Sequence, residues 1–158
     1  MSRADARLRC DADPARRQLL RASGGVLLAL TLRPSSAADD ELAAAVRRFA
    51  GSAPVGTGRV TLDIAPLVEN GNTVPVTLRA DSPMTDADHV TALALFNQRN
   101  PLRDVAVFHL TPASGRAQVS TRIRLATSQD LAAVARMSDG SVWQHRVAVL
   151  VTLASCIE

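Results

Sequence analysis

The sequence predicts an all-β domain: an antiparallel β-sandwich preceded by one short N-terminal helix. Three observations carry this. From Arg59 onward apolar residues recur with a period of two in short runs. Gly, Asn, Asp and Pro interrupt those runs at regular spacing, as they do between the strands of a sandwich. Ahead of them, Leu42, Val46 and Phe49 stand at i, i+4 and i+7, the period of a helix.

Taken in order, Asp39-Asp40-Glu41 offer N-cap and first-turn acids, and Gly51 is placed to end the helix. The Arg47-Arg48 pair falls on the solvated side. Residues 52–58, with Pro54, Gly56 and Gly58, read as a loop. Val60, Leu62 and Ile64 alternate. Val74, Val76 and Leu78 alternate again after the turn residues Asn70-Gly71-Asn72, and Pro75 near the start of that strand predicts an edge position. Val90 to Phe96 is apolar without alternation, as is Val105 to Leu110 apart from His109, which predicts strands buried on both faces. Asn97 to Pro101 separates them. Val119, Thr121, Ile123 and Leu125 face one way, with Ser120, Arg122, Arg124 and Ala126 opposite. Leu131 to Met137 runs into Ser138-Asp139-Gly140-Ser141, where Asp-Gly between strands signals a hairpin. The last strand places Trp143, His145, Val147, Val149, Val151 and Leu153 on one face and Gln144, Arg146, Ala148, Leu150 and Thr152 on the other. About seven short strands with such turns fit an immunoglobulin-like sandwich without cysteines in its core.

The 158 residues suffice for one such domain. The formal charge of +3 suggests an anionic partner until the charge is located. Seven of the 18 basic residues and three of the 15 acidic ones precede Asp39, leaving 11 against 12 and a net charge of −1. With no basic stripe and no interleaved aromatics, nucleic-acid binding is excluded as a reading.

The first 38 residues have the order of an export signal: a basic region ending in Arg16-Arg17-Gln18, the apolar run Val26 to Leu32, and the small residues Ser35 to Ala38. The adjacent Arg16 and Arg17 predict the twin-arginine route, with cleavage after Ala37 or Ala38. The apolar run is shorter than the ~20 residues of a membrane span, so no membrane attachment is expected after cleavage. An arginine-rich tail with a chance apolar run is the plainer alternative. The expected organisation is a signal at 1–38, helix and loop at 39–58, sandwich at 59–153 and a C-terminal tail at 154–158.

Cleavage would remove Cys10 and leave Cys156 as the single cysteine of an exported protein, the pattern of intermolecular pairing or a free reactive thiol. Cys156 follows the last strand on the tail Ala154-Ser155-Cys156-Ile157-Glu158. Nothing beside it in sequence activates it: a free thiol titrates near ~8.5, and Glu158 adds negative charge. A thiol engaged by a partner's cleft fits better than an enzyme nucleophile, and Ala154 to Cys156 reach at most ~10 Å beyond the strand. His89, His109 and His145 raise a copper site as a rival, but only two residues follow Cys156 to supply further ligands. His109 and His145 read as packed or interface side chains, His89 as a loop residue. No Gly-x-Ser-x-Gly elbow, phosphate loop, Cys-x-x-Cys pair or zinc spacing is present, so no catalytic residue, resident cofactor or metal is expected.

Several short motifs resemble, in order and spacing, those of the SoxY family, the sulfur-carrier subunit of the periplasmic thiosulfate-oxidising Sox system. They are Val68-Glu69-Asn70-Gly71, Val74-Pro75-Val76, Asp81-Ser82-Pro83-Met84, Asn100-Pro101, Ser120-Thr121-Arg122-Ile123-Arg124-Leu125-Ala126, Ser128-Gln129 and Met137-Ser138-Asp139-Gly140-Ser141, with a cysteine third from the end. The resemblance implies a heterodimer with a SoxZ-like subunit and a covalent sulfur adduct on Cys156, carried on a C-terminal arm between enzymes. It also implies partners: a Sox cytochrome complex that loads the cysteine, a SoxB-like hydrolase that releases sulfate, and in many systems a sulfane dehydrogenase.

The arm departs from the family's Gly-Gly-Cys-Gly-Gly. Glycine is slender and free in its torsions, whereas Ile157 narrows the torsions and adds width, and Glu158 adds charge. This opens a second reading, a scaffold subunit that keeps its SoxZ-like partner and has lost carriage.

Overall fold

A computed structural model describes residues 35–153, with side chains for 41–152. The expected export signal with Arg16 and Arg17, and the tail from Ala154 to Glu158, lie outside the described residues. Helix α1 (Ser35–Ala50) is followed by β1 (Val55–Thr57), β2 (Val60–Asp63), β3 (Leu67–Asn70), β4 (Val74–Ala80), β5 (Val90–Asn97), β6 (Asp104–His109), β7 (Gln118–Ile123), β8 (Gln129–Met137) and β9 (Val142–Leu153). A single 3-10 turn, Pro112–Ser114, precedes β7.

The strands form two sheets, so the sandwich expectation holds. The larger runs β1-β9-β8-β5-β6, with β3 also on β9; the smaller is β2-β4-β7. The pairs β5–β6, β5–β8, β8–β9, β2–β4 and β4–β7 are antiparallel. Two short strands add to this: β1 and β3 both pair parallel with the outer edge of β9, at Val55↔Val142 and Leu67↔Leu150. They cover an edge that would otherwise present unpaired backbone.

The layers explain the two kinds of strand. Val60, Leu62, Val76 and Leu78 of the small sheet meet Leu93, Leu95, Leu131, Ala133 and Val149 of the large one. On the far face of the large sheet, Leu42, Ala45, Val46 and Ala50 of α1 pack on Ala94, Phe96, Ala132, Val134 and Val142. Strands β5 and β8 are therefore covered on both sides, which is why their sequence does not alternate. A bulge between Val90 and Ala92 resets the parity and turns both Val90 and Leu93 into the sandwich core.

The helix is described from Ser35, so the acids expected to open it, Asp39-Asp40-Glu41, lie within it. Its end is as expected: Gly51 sits at φ 68° and donates to the Arg47 carbonyl. From β8, Arg136 donates to the Phe49 carbonyl and lies 4.4 Å from the Phe49 ring centroid. Phe49 meets Phe96 edge-on at 5.8 Å. Arg47 and Arg48 are exposed, as read.

Two expectations are corrected. Strand β6 is not buried on both faces: it is the outermost strand, beyond the patch that α1 covers, with Val107 43% exposed and His109 exposed. Pro75 lies on the middle strand of the small sheet. Its tolerance there is local, because β2 pairs with β4 only as far as Asp63↔Thr77, leaving Pro75 opposite Arg122 alone. The turn expected at Asn70-Gly71-Asn72 carries the chain from β3 in the large sheet to β4 in the small one. Asp139-Gly140 closes a hairpin between β8 and β9, with Gly140 at φ 84°.

Two contacts tie the sheets near β9. His145 Nδ1 accepts the Leu62 backbone N–H at 2.9 Å, so this histidine is a packed inter-sheet link. Trp143 lies flat on Gly56, its strand partner, and donates Nε1–H to the Ser141 hydroxyl at 3.1 Å.

A Cβ at Gly56 would stand 2.8 Å from Trp143 Cε3 and Cζ3, so neither can stay in place. Gly56→Ala is expected to cost ~1–3 kcal/mol by overpacking, read in urea unfolding followed by Trp143 fluorescence; an unchanged midpoint would contradict the contact. In the β8–β9 turn, the Ser141 hydroxyl and then its N–H, the latter 2.8 Å from Oδ1, hold the Asp139 carboxyl below its usual range. The stabilisation is present above the unfolded value of ~3.9 and is lost as pH falls through the lower folded value. Asp139→Asn is expected to flatten the acid limb of stability measured from pH 5 down to pH 2; an identical limb would show that the turn carboxylate does not titrate with folding.

Candidate functional site

The candidate site is the end of the sandwich at which β9 reaches Leu153, its last described residue. The β8–β9 ladder runs from Arg136↔Val142 to Gln129↔Val149 and stops there, yet β9 continues to Leu153. Its last residues are held by other means. On one edge β3 pairs Val68↔Val151 and Asn70↔Leu153, Leu150 N–H reaches the Pro66 carbonyl at 2.8 Å, and the Thr152 hydroxyl donates to the Glu69 carbonyl at 3.1 Å. On the other edge the Ser128 hydroxyl accepts the Val151 N–H at 2.9 Å and donates to the Val151 carbonyl at 3.4 Å.

Around this exit lies a polar network built from residues that precede β8. Asn100 Oδ1 accepts from the Ala126 N–H at 3.0 Å and from Gln129 Nε2 at 2.7 Å, and Asn100 Nδ2 donates to the Arg124 carbonyl at 2.7 Å. Gln129 Oε1 accepts the Arg99 N–H at 2.8 Å, and Asn97 Oδ1 the Asn100 N–H at 3.1 Å. Asn97, Gln98 and Gln129 are buried, and no buried side-chain polar atom among the described residues lacks a partner. The turn Asn70 to Asn72 joins the network through the Gly71 carbonyl, which accepts the Leu125 N–H at 2.8 Å. Arg103 donates to the Asn100 carbonyl and pairs with Glu41, linking the exit end to α1.

Leu67 and Leu150, strand partners beside the exit, are 58% and 61% exposed. They form an apolar pair on the outer surface, with Arg146 and Thr152 exposed along the same strand.

The expected site residues fall as follows. Cys156, Ala154, Ser155, Ile157 and Glu158 lie outside the described residues, and β9 is described to Leu153, three positions before Cys156. The three histidines are not brought together. His145 is half-buried between the sheets; His109 is exposed on the outermost strand; His89 is half-buried at the opposite end, where its N–H meets the Ser138 hydroxyl at 3.2 Å. No group of three His, Cys, Asp or Glu side chains among the described residues is arranged to hold a metal. No helix among them is long and apolar enough to cross a membrane. The sequence reading assigned no role to Asn97, Gln98 or Ser128; the signal was available in polar side chains lying between two apolar runs that the fold turns out to bury.

The comparisons with known proteins agree with this geometry. Residues 46–156 match the family model "Sulfur oxidation protein SoxY". The sulfur carrier protein SoxY of Chlorobium limicola f thiosulfatophilum superposes with a TM-score of 0.61 at 27% identity, over 73% of this chain and 99% of that one. Superoxide reductases share the fold alone: the neelaredoxin of Ignicoccus hospitalis at TM-score 0.53 and 15% identity (60% of this chain, 80% of that one), and the Nanoarchaeum equitans enzyme at 0.52 and 11% (61% and 100%). No curated protein matches the chain significantly. With the family match running from the first helix to the terminal cysteine, the chain belongs to the SoxY family of sulfur oxidation proteins.

Proposed function

We propose that the chain is a periplasmic sulfur carrier, not itself a catalyst, which holds thiosulfate-derived sulfur on Cys156. The observation that supports this most is the architecture of the exit: a strand held on one edge by β3 as far as Leu153 and on the other by Ser128 as far as Val151, in a chain of the SoxY family. The three residues to Cys156 span at most ~10 Å, so in this reading the thiol works close to the end of β9. The sulfur carrier of Chlorobium limicola, alike over nearly its whole length, points the same way.

In this reading the terminal sulfur of thiosulfate forms an S–S bond with Cys156 Sγ. The thiol proton leaves to solvent and two electrons pass to a c-type cytochrome complex. Water then cleaves the S–SO3 bond under a SoxB-like hydrolase, releasing sulfate and leaving a persulfide, which a sulfane dehydrogenase oxidises further. Arg16 and Arg17 direct export by the twin-arginine route, which passes folded proteins. A SoxZ-like subunit completes a heterodimer, and the exposed Leu67–Leu150 pair supplies apolar area for such an interface.

Cys156→Ser is expected to abolish thiosulfate oxidation by cells depending on this protein while leaving its thermal midpoint within about 1 °C. If the variant supported oxidation at the parent rate with subunit pairing intact, the scaffold reading would replace the carrier.

A further inference from the structure

We propose that Ser128 is a positioning residue for the carrier arm: its hydroxyl stands in at Val151 for the rung of the ladder that β8 no longer supplies, and so, with β3 on the opposite edge, fixes the arm's root, the end of β9 that leads to it. This rests on the carrier reading above. Beyond Gln129↔Val149 the backbone of β8 turns away, leaving the N–H and C=O of Val151 facing a side with no strand. One hydroxyl satisfies both, at 2.9 and 3.4 Å. Ser128 is held in turn by its neighbours. Gln129 is buried and donates from Nε2 to Asn100 Oδ1 and to the Thr127 carbonyl, at 2.7 and 3.2 Å, and Asn100 grips Arg124 and Ala126 on the same loop. On the far edge, β3 has four residues and β9 as its one strand partner among the described residues. It holds only that edge, so on the β8 side the hydroxyl of Ser128 is what holds β9 beyond Val149 among the described residues.

The consequence is a matter of tether length. With the root fixed at Leu153 the free tether to Cys156 is three residues; with the root withdrawn to the last β8 rung at Val149 it is seven. Effective concentration at a partner's cleft falls roughly as the −3/2 power of tether length, about three- to fourfold here. Ser128 thereby sets how many residues separate Cys156 from the fixed end of β9.

The test uses the full chain with Cys10→Ser. Nitroxides on Cys156 and on exposed Thr61→Cys give a distance distribution by pulsed electron paramagnetic resonance. Ser128→Ala is expected to broaden it, and Ser128→Thr, which keeps the hydroxyl, to restore the parent width. Thr152→Val, which removes the opposite bond to Glu69, should broaden it too, and serves if Ser128→Ala fails to fold. Without the Thr61 label, cells carrying Ser128→Ala should oxidise thiosulfate about three- to fourfold more slowly, while Cys156 reacts with a small disulfide reagent at the parent rate. Broadening and slowing reversed by Ser128→Thr support the inference; a parent-like distribution and rate in Ser128→Ala overturn it. If Cys156→Ser cells oxidise as fast as the parent, the carrier reading fails on its own, and the distance distribution still decides whether Ser128 fixes the arm's root.

Discussion

The register of β8 against β9 is the constraint on which the rest of the structure depends. Strand β8 is covered by the small sheet on one face and by α1 on the other, and the two faces differ: Leu131, Ala133 and Ala135 look into the sandwich, while Ala132 and Val134 lie under the helix. A slip of one residue would exchange those sets and bring Leu131 beneath a helix that packs close because Ala94 and Ala132 are small. Register is thus locked from both sides. It fixes where β8 ends relative to β9, and with that the four residues by which β9 outruns it.

Apolar packing and buried hydrogen bonds carry this arrangement; charges contribute little. The ion pairs Arg48–Asp104 and Arg59–Asp88 are long, at 3.8 and 3.6 Å, and substantially exposed, the kind worth at most about 1 kcal/mol. A fully buried Leu or Val side chain contributes ~1.5–3 kcal/mol, and Leu42, Leu93, Leu95, Leu131 and Val134 are all at 0% exposure. At the exit end the balance changes. There the chain turns between strands, apolar cover is thin, and the Asn97–Asn100–Gln129 network holds backbone that no ladder satisfies. A satisfied polar network is also directional, which suits a place where the direction of a chain end matters.

Much of the fold was legible in the sequence. Alternation placed Val74, Val76 and Leu78 inward, and the unbroken apolar run at Val90 marked one of the two central strands. The failures have physical causes. The run at Val105 looked like the run at Val90, because local composition does not record how far a helix laid across the sheet will reach. Asn70-Gly71 and Asp139-Gly140 are equivalent as turn signals; whether the flanking strands pair with each other or part into two sheets is settled by tertiary packing. Pro75 was read as an edge residue, when the partner strand merely ends before reaching it. At the site, motif resemblance marked Asn100, Ser128 and Gln129 but not what they do, since hydrogen bonds between side chains and distant backbone leave no periodicity. Cys156, which the sequence singles out, lies outside the described residues.

The family and the fold make this chain kin to a sulfur carrier; whether its altered arm still carries is the question on which the account turns. The most direct measurement is intact-protein mass spectrometry of the chain isolated from thiosulfate-grown cells without reductant, followed by fragmentation of the C-terminal peptide. The account predicts a ladder of sulfur-containing mass increments on Cys156, removed by a thiol reductant. A free, unmodified Cys156 under thiosulfate oxidation would contradict it.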